Sequence, residues 1–266
     1  MARAVFEHYQ PRYAGETVPS TNAGAIVSIA DKIDTITGCF SIGIIPTGSQ
    51  DPYALRRQAA GIVQILLDRK LSATLSDVFN IALDVHGNLG NMKRSADEIR
   101  KELHEFFGLR VKKLLSETLR YDVVDAVLAA GYDDVASVVN RGAALMTAVQ
   151  TGEVFKATVE SFNRVGNLAA KAVHKSVNTG EFTEQGEKTL YEAWYSAYES
   201  YSVALQEGDA TRALALASSI TPAVTAFFDS VMVMAEDDAV RNNRLALLAV
   251  IDSELKRFAD FSKLVV

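Results

Sequence analysis

Amides and cations recur along one side of a predicted helix at residues 153–175. At about 100° per residue, one arc of this helix carries Asn163, Arg164, Asn167, Lys171, His174 and Lys175. Amides donate and accept hydrogen bonds, while arginine and lysine neutralise phosphates, so this combination suits the backbone and base edges of RNA. A solvated helix face that binds nothing explains the same pattern and stays open as an alternative.

The opposite side of the same predicted helix is apolar. Its residues recur at steps of three and four and fall within an arc of about 120°. They are Phe155, Val159, Phe162, Val165, Ala169 and Val173. The pattern therefore predicts a helix with one buried face and one face that carries cations and amides.

Two more cations, Arg241 and Arg244, lie three positions apart on the predicted exposed side of a helix near the C-terminus. Asp237 and Asp238 open this helix as capping carboxylates. Its predicted buried face consists of Leu245, Leu248, Ile251, Leu255 and Phe258. The preceding run VMVM, at residues 231–234, has no polar alternation and so predicts a segment buried on all sides. A core helix with a solvated charged flank accounts for these features without a ligand.

A third pair of cations, Arg56 and Arg57, follows a stiff turn. After a Gly-Ser turn, Asp51 is the predicted N-cap and Pro52 the predicted first helical residue, where its missing N–H does no harm. This entry holds both arginines in place to meet a phosphate or a neighbouring carboxylate. The glycine spacing fits neither the P-loop nor the dinucleotide-binding pattern, so we do not interpret the turn as a phosphate cradle.

Asp31 and Asp34 lie three positions apart on another predicted helix. The predicted buried face of that helix is Ile26, Ile29, Ile33 and Ile36. A pair of carboxylates is typical of a general base or a metal ligand, but hard cations need several oxygen ligands or added histidines. Nothing nearby in the sequence completes such a set, which favours a helix-surface or capping role.

Three tyrosines, Tyr191, Tyr195 and Tyr198, have ring faces on which RNA bases could stack. Leu190 and Trp194 share their predicted helix. We therefore favour core or interface positions for these aromatic residues.

The charge balance limits the kind of partner. The 266 residues include 27 Lys and Arg against 33 Asp and Glu, a net charge of −6, which argues against binding DNA or RNA by bulk positive charge. Cys39 is the only cysteine, so no disulfide framework or thiolate metal cluster is expected. No apolar run approaches about 18 residues and no signal-peptide pattern begins the chain, so we expect a cytoplasmic protein without a membrane partner.

Few prolines and few alternating β-branched runs favour an all-α fold. Residues 87–91 are the predicted linker between two helical domains, residues 1–92 and residues 93–266. Ser95 and Glu98 have capping-box spacing and begin a long helix in the second part, inside which Gly108 indicates close packing. No capping residue precedes the first predicted helix, so we expect the chain to be part of a longer protein.

Five stretches carry a resemblance to a known family: GIIPTGSQDPYALRR at residues 43–57, FFD at 227–229, VMVM at 231–234, RNNRL at 241–245 and DFSKL at 260–264. Together they resemble the C-terminal portion of the bacterial glycyl-tRNA synthetase beta subunit. YDVVDAV at 121–127 and Arg141 also resemble the beta-subunit pattern, in the region that is similar to the helical DALR-type anticodon-binding domain of arginyl-tRNA synthetase. ADKID at 30–34 resembles the last helix motif of the HD phosphohydrolase fold, but the adjacent His-Asp pair that names that fold does not occur in the sequence.

The resemblance implies that residues 1–92 end an HD-like helical domain and that residues 93–266 form a DALR-like anticodon-binding bundle. It implies tRNA for glycine as ligand and an alpha subunit as partner. ATP and magnesium would be used by the whole synthetase through the alpha subunit, with no cofactor, metal or catalytic residue in this chain. The candidate tRNA-binding residues are Asn163, Arg164, Asn167, Lys171, Lys175, Arg241, Arg244, Arg56 and Arg57.

Two alternatives to this function stay open. One is a fragment of an HD-type metal-dependent phosphohydrolase, and the other is a helical scaffold without RNA binding. Gly166 and Leu168 also depart from the bulkier aliphatic residues that are frequent in the family, so individual contacts near them are not carried over from the resemblance.

Overall fold

The computed structural model describes residues 2–13, 15–90 and 92–265. Within these ranges the chain is helical and contains no β-strand, which confirms the predicted all-α class. In chain order the helices are α1 (Ala2–Glu7), α2 (Asn22–Ser41), α3 (Leu55–Asp68), α4 (Leu75–Asn88), α5 (Ala96–Ser116), α6 (Tyr121–Ala129), α7 (Val135–Val149), α8 (Glu153–Ala169), α9 (Gln185–Gln206), α10 (Ala210–Ser218), α11 (Thr221–Ser230) and α12 (Asp238–Leu255). Short 3₁₀ turns form at Thr179–Glu181 and Phe261–Lys263.

The chain forms two compact units. Unit 1 comprises Met1–Glu117 with Tyr132–Ala136, and unit 2 comprises Thr118–Gly131 with Ser137–Val266. Helix α5 therefore lies in unit 1, where it packs on α3 and α4, although the boundary expected after residue 92 places it in the second domain. The assignment of residues 1–92 and 93–266 to two family domains stays a prediction.

Unit 1 is organised around α2, which packs against α1, α3, α4 and α5. The fully buried side chains of this core include Ile36, Phe40, Leu55, Ile62, Ile65, Phe79 and Phe107. The predicted capping box of α5 is present, since the Ser95 hydroxyl accepts from the Glu98 backbone N–H and the Glu98 carboxylate accepts from that of Ser95.

The predicted buried face of α2 is correct in its second half and wrong at its start. Ile33 and Ile36 are buried, but Ile26 is 60% exposed. Helix α1 meets α2 at Gly24 instead, where a Cβ atom would lie 2.3 Å from Oε2 of Glu7. The first turn of α2 therefore packs through its small residues, and Ile26 lies on the other side.

Unit 2 is organised around α8, α9 and α12. Helix α8 packs on α12, α11 and the Phe261–Lys263 turn, while α9 packs on α10 and α11. The core of unit 2 includes Leu190, Trp194, Tyr201, Phe227, Leu245, Leu248, Ile251 and Phe258. The predicted buried face of α12 is confirmed, and Asp237 caps this helix by accepting from the N–H groups of Ala239 and Val240.

The run at residues 231–234 is not buried on all sides as its composition predicts. Val231 and Val233 are each 6% exposed, whereas Met232 is 74% and Met234 is 48% exposed. The backbone at Val231 is extended, with φ −114° and ψ 122°, and successive side chains of an extended segment point to opposite sides.

The stretch Ala210–Ser230 is long and apolar enough, by length and composition, to cross a membrane, with a mean hydropathy of 1.2. The expectation that no apolar run approaches this length is therefore wrong for this stretch. The structure divides it at Ser219 and Ile220 into α10 and α11, which both pack on α9. We interpret it as part of the helical core of unit 2.

Candidate nucleic-acid interface

Helix α8 has the two faces that its sequence predicts. Phe155, Val159, Phe162, Val165 and Ala169 are buried, because this side packs on α12 and α11. On the other arc, Arg164 and Asn167 are exposed and Asn163 is half-buried. The helix thus presents one cation and two amides at the surface of unit 2.

Asn163 and Asn167 line a cleft of about 150 Å³ between α8 and the end of α12, which we call the α8–α12 cleft. Its other lining residues are Phe162, Gly166, Asp252, Leu255, Lys256, Ala259, Asp260, Phe261 and Ser262. Asp252, Lys256, Asp260 and Ser262 were missed by the sequence reasoning. They lie about 90 positions further along the chain. The i,i+4 spacing is the local signal of Asp252 and Lys256, while Asp260 and Ser262 belong to the DFSKL stretch that carries the resemblance.

The polar groups of the α8–α12 cleft differ in how far they are already paired. Oδ2 of Asp252 accepts from Nζ of Lys256 at 2.7 Å, and Oδ1 of Asp260 accepts from the Ser262 hydroxyl at 2.6 Å. In the part of the chain that the structure describes, no residue hydrogen-bonds the side chain of Asn163 or Asn167. The two amides are therefore available to a ligand, while the charged groups around them are held in place.

The apolar lining of the cleft is aromatic. The rings of Phe162 and Phe261 meet edge to face, with their centroids 4.9 Å apart. Gly166 leaves open the space between α8 and Asp252. A Cβ atom at this position would lie 3.0 Å from Oδ1 of Asp252 and would narrow the cleft. Both rings are buried, with Phe162 3% and Phe261 4% exposed, so they form the apolar floor of the cleft, and the unpaired amides are the groups that can hydrogen-bond the edge of a base.

Arg164 lies beside the cleft and does not line it. Its guanidinium is stacked over the ring of Phe228, on α11, with 4.3 Å between the guanidinium carbon and the ring centroid. This contact holds the side chain while leaving it exposed. Arg164 can therefore neutralise a phosphate near the cleft without large loss of side-chain freedom.

Lys171 and Lys175 are exposed, but they do not continue the stripe along a helix, because α8 ends at Ala169. Asn243 of α12 donates to the Asn178 carbonyl at 2.9 Å and accepts from its N–H at 2.8 Å. These two bonds join Asn178, nine residues after the end of α8, to α12. The predictions that the helix reaches residue 175 and that Val173 is buried are both wrong, since Val173 is 77% exposed.

Arg241 and Arg244 are separated by burial. Arg241, with a side chain 28% exposed, pairs with the Asp238 carboxylate and donates to the Ala235 carbonyl at 2.9 Å. Arg244 is only 4% exposed, so the prediction that it lies on the exposed side of its helix is wrong. Helix α12 is buried on several sides here, because α8, α9 and the Thr179–Glu181 turn all pack on it.

The guanidinium of Arg244 is fully engaged inside unit 2. Nε donates to Oε1 of Glu187 at 3.1 Å, Nη2 to the Thr183 hydroxyl at 2.9 Å and Nη1 to the Met232 carbonyl at 2.8 Å. Burial raises the pKa of Glu187, but the bonds from Arg244 and from the Glu184 and Thr183 N–H groups outweigh it, so this pKa lies below its ordinary value. Arg244 is an internal ion-pair residue of unit 2.

The remaining arginine candidates, Arg56 and Arg57, lie in unit 1 at the start of α3. Asp51 accepts from the N–H groups of Leu55 and Arg56 at 2.8 and 3.0 Å, so its carboxylate pairs with the first turn, but the N-cap residue is Ala54 and the prediction that Asp51 holds this position is wrong. Pro52 precedes α3 and does not occupy its first position, because the helix begins at Leu55.

Asp31 and Asp34 are both exposed in unit 1. Asp34 contacts Nε2 of His86 at 3.1 Å, and Lys32 between them is buried and donates to the His8 and Gln10 carbonyls. Among the residues described, no three His, Cys, Asp or Glu side chains are grouped to hold a metal ion. The expectation of no metal site stays a prediction.

A larger groove of about 570 Å³ lies between α7 and α10. It is lined mainly by alanines and threonines, and Asp209 is the charged side chain among its described lining residues. The tyrosines of α9 form a separate cluster, in which Tyr191 and Tyr195 stack at 4.9 Å while Trp194 is buried. Neither feature offers a cation to a phosphate, so the α8–α12 cleft is the better candidate interface.

Comparison with known proteins gives two family matches. The glycyl-tRNA synthetase beta subunit model matches residues 1–129, and the DALR anticodon binding domain model matches residues 158–260. The chain is 43% identical over its whole length to the glycine--tRNA ligase beta subunit of Desulforamulus reducens and 42% identical to that of Halalkalibacterium halodurans. The corresponding protein of Shouchella clausii is 44% identical, again across the whole chain. The chain spans 38% of the length of each of these relatives.

Proposed function

Since this chain belongs to the glycyl-tRNA synthetase beta-subunit family, we propose that it is the tRNA-binding portion of a glycine–tRNA ligase, in which unit 2 recognises the anticodon arm of tRNA for glycine. The DALR anticodon binding domain match at residues 158–260 supports this location, because it includes the lining residues of the α8–α12 cleft from Phe162 to Asp260.

The observation that carries the proposal is the pair of unpaired amides, Asn163 and Asn167, in a cleft with an aromatic lining. Proteins read RNA sequence mainly at single-stranded loops, whose unstacked bases can be hydrogen-bonded on their edges and stacked on aromatic rings. An anticodon loop offers such bases. An amide that both donates and accepts matches the mixed donors and acceptors of a base edge.

Exposed cations around the cleft would position the RNA backbone. Arg164 is held on the Phe228 ring, and Lys171 and Lys175 follow α8 in the exposed segment. Arg241 is the weaker candidate, because its charge is already paired with Asp238. Such contacts supply affinity without reading sequence.

The chemical step is assigned to the partner. We propose that an alpha subunit activates glycine with ATP and magnesium, and that the present chain contributes tRNA binding and needs no cofactor. Expressed alone, it should form no glycyl-adenylate. The proposed setting is the cytoplasm, with no membrane or DNA partner.

The test compares Asn163→Ala and Asn167→Ala with Asn88→Ala, a control at an exposed asparagine of unit 1. Affinity is measured for tRNA for glycine and for a non-cognate tRNA. Each cleft variant should lose about 1–3 kcal/mol of binding free energy, mainly for the cognate tRNA, while the control binds as the parent does. Unchanged cognate affinity in both cleft variants, with unchanged melting, would leave a helical scaffold or an RNA site elsewhere.

A further inference from the structure

The two carboxylates that line the α8–α12 cleft each have one oxygen atom that the fold leaves unused. Oδ2 of Asp252 accepts from Nζ of Lys256 at 2.7 Å, and Oδ1 of Asp260 accepts from the Ser262 hydroxyl at 2.6 Å. Neither Oδ1 of Asp252 nor Oδ2 of Asp260 accepts a hydrogen bond from any residue that the structure describes. The lining of the cleft therefore offers two free carboxylate oxygens beside its two unpaired amides.

Oδ1 of Asp252 lies next to α8 at Gly166. A Cβ atom at residue 166 would lie 3.0 Å from this oxygen, so the missing side chain leaves the oxygen uncovered on that side. The side chain of Asp252 is 18% exposed and that of Lys256 is 52% exposed. The ion pair with Lys256 thus holds the carboxylate in the cleft, while its second oxygen stays open to a ligand.

The chemistry of a carboxylate limits what can lie beside Asp252. An ionised carboxylate accepts hydrogen bonds and donates none, so a donor of the ligand is favoured at Oδ1 and a carbonyl oxygen is repelled. Among the bases, cytosine, adenine and guanine have an exocyclic amino group that donates, whereas a pyrimidine with a carbonyl at position 4 accepts there. The cleft therefore favours a base edge with an amino group.

The charge of the cleft also favours a base over a phosphate. Its charged lining residues are Asp252, Lys256 and Asp260, so two negative charges stand against one positive charge. A phosphate inside this lining would be repelled, whereas the neutral edge of a base would not. Arg164, which lies beside the cleft on the Phe228 ring, is the group that can meet the phosphate of the same nucleotide.

We propose that Asp252 is a specificity-determining residue of unit 2. Its free Oδ1 accepts a hydrogen bond from the exocyclic amino group of one anticodon-loop base, so the cleft takes a base with an amino group and rejects uracil. This inference rests on the proposed function, since it takes an anticodon loop as the ligand of the cleft. Lys256 positions the carboxylate, and the amides of Asn163 and Asn167 bind the remaining edge atoms of the base.

The experiment measures the affinity of the chain for tRNA for glycine and for versions in which one anticodon base at a time loses its amino group. Uridine replaces cytidine, and inosine replaces adenosine or guanosine. One of these replacements should weaken binding to the parent chain by about 5- to 150-fold, the usual discrimination of a good base contact. That replacement identifies the base that Asp252 contacts.

Asp252→Asn is the deciding variant, because an amide of the same size can turn its N–H groups towards a carbonyl oxygen. It should bind cognate tRNA more weakly than the parent chain does. It should also bind the version without the amino group at least as tightly as the parent does, so that the discrimination is lost. A merely structural role of Asp252 would weaken binding of both tRNAs and leave the discrimination unchanged.

Glu199→Gln is the matched control, because Glu199 is exposed on α9 and its replacement also removes one negative charge from unit 2. It should keep the discrimination of the parent chain. Folding of each variant is followed by melting. Gly166→Ala is the second test, since its Cβ would cover Oδ1 of Asp252 and should reduce the discrimination with the carboxylate still present. If Asp252→Asn does not fold, Gly166→Ala decides.

The proposal is overturned if Asp252→Asn, or Gly166→Ala in its place, distinguishes the two tRNAs as strongly as the parent chain does. It is also overturned if no single loss of an amino group weakens binding to the parent.

Comparison with the asparagine variants separates this inference from the proposed function. If Asn163→Ala and Asn167→Ala weaken cognate binding while Asp252→Asn keeps the discrimination, only the present inference fails. If the asparagine variants bind as the parent does while Asp252→Asn loses the discrimination, base recognition by the carboxylate stands and recognition by the amides fails. If no variant of the cleft changes affinity or discrimination, the cleft binds no anticodon base and both fail.

Discussion

Replacing Arg244 with methionine removes the positive half of an ion pair inside unit 2. Its partner Glu187 is completely buried, and Arg244 itself is 4% exposed. After the change, the carboxylate keeps the N–H groups of Thr183 and Glu184 at 2.9 and 2.7 Å but loses both bonds from the guanidinium. The Met232 carbonyl also loses its donor.

The expected loss of unfolding free energy follows from the burial of Glu187 and Arg244. Removing one partner of a buried ion pair leaves an uncompensated charge in a poorly solvated place, which typically costs about 3–5 kcal/mol. Since the whole free energy of unfolding of a domain is about 5–15 kcal/mol, Arg244→Met should remove a large fraction of the stability of unit 2. The cost of changing both partners, Glu187→Gln with Arg244→Met, should be smaller than the sum of the single changes.

The loss of unfolding free energy caused by Arg244→Met should depend on pH. The pKa of Glu187 lies below its ordinary value, so the pair contributes stability above the unfolded carboxyl pKa of about 4.3 and loses that contribution as pH falls through the lower folded pKa. The difference between parent and Arg244→Met should therefore be largest near neutral pH and shrink in acid.

Urea unfolding followed by tryptophan fluorescence measures this directly. Trp194 is the only tryptophan, it is 2% exposed, and it shares α9 with Glu187, so its emission reports on unit 2. Arg241→Met is the matched control, three positions earlier. Because Asp238, its partner, is 81% exposed, the control should cost less than about 1 kcal/mol.

A loss below about 1 kcal/mol for Arg244→Met, equal to that of Arg241→Met, would refute the argument from burial. So would a variant with the stability of the parent and a specific loss of tRNA affinity. That second result would indicate that Arg244 is an exposed, RNA-binding residue.

Two further predictions concern unit 1. Gly108→Ala should destabilise unit 1 by about 1–3 kcal/mol, although alanine favours helices, because the added Cβ would lie 2.6 Å from the Tyr132 hydroxyl oxygen. Urea unfolding followed by circular dichroism measures this change in the free energy of unfolding. A gain in stability would contradict the close packing of Gly108 on Tyr132. Hydrogen bonds from Thr21 and Ser20 lower the pKa of Glu7 to about 2, so its contribution to the docking of α1 should be present above about pH 4.3 and be lost as pH falls towards 2. The exchange rate of the α1 amides relative to the intrinsic rate at each pH should rise as pH falls over this range in the parent and not in Glu7→Gln.

The all-α fold and much of the local structure of the chain could be predicted from its sequence, because those features depend on nearby residues. The apolar steps of α8 predict its buried face from Phe155 to Ala169. The spacing of Ser95 and Glu98 predicts the capping box of α5. The motif at residues 43–57 and the C-terminal stretches carry the resemblance that the family matches confirm.

The candidate site was only half predictable. Asn163 and Asn167 stand out by the helical period of α8. Asp252 and Asp260, which share the α8–α12 cleft with them, come from a part of the chain that meets α8 only through packing. No local pattern brings these four side chains together.

Burial of single charges was decided by tertiary structure alone. Arg241 and Arg244 look alike in sequence, three positions apart on one helix, yet Arg244 is enclosed because Glu187 of α9 and the Met232 carbonyl meet it there. The position of Asn178, nine residues after the end of α8, is likewise fixed by a distant partner, because Asn243 of α12 exchanges two hydrogen bonds with its backbone. Periodicity describes which side of a helix is apolar, but whether a charged side meets water or another helix depends on partners that are distant in the chain.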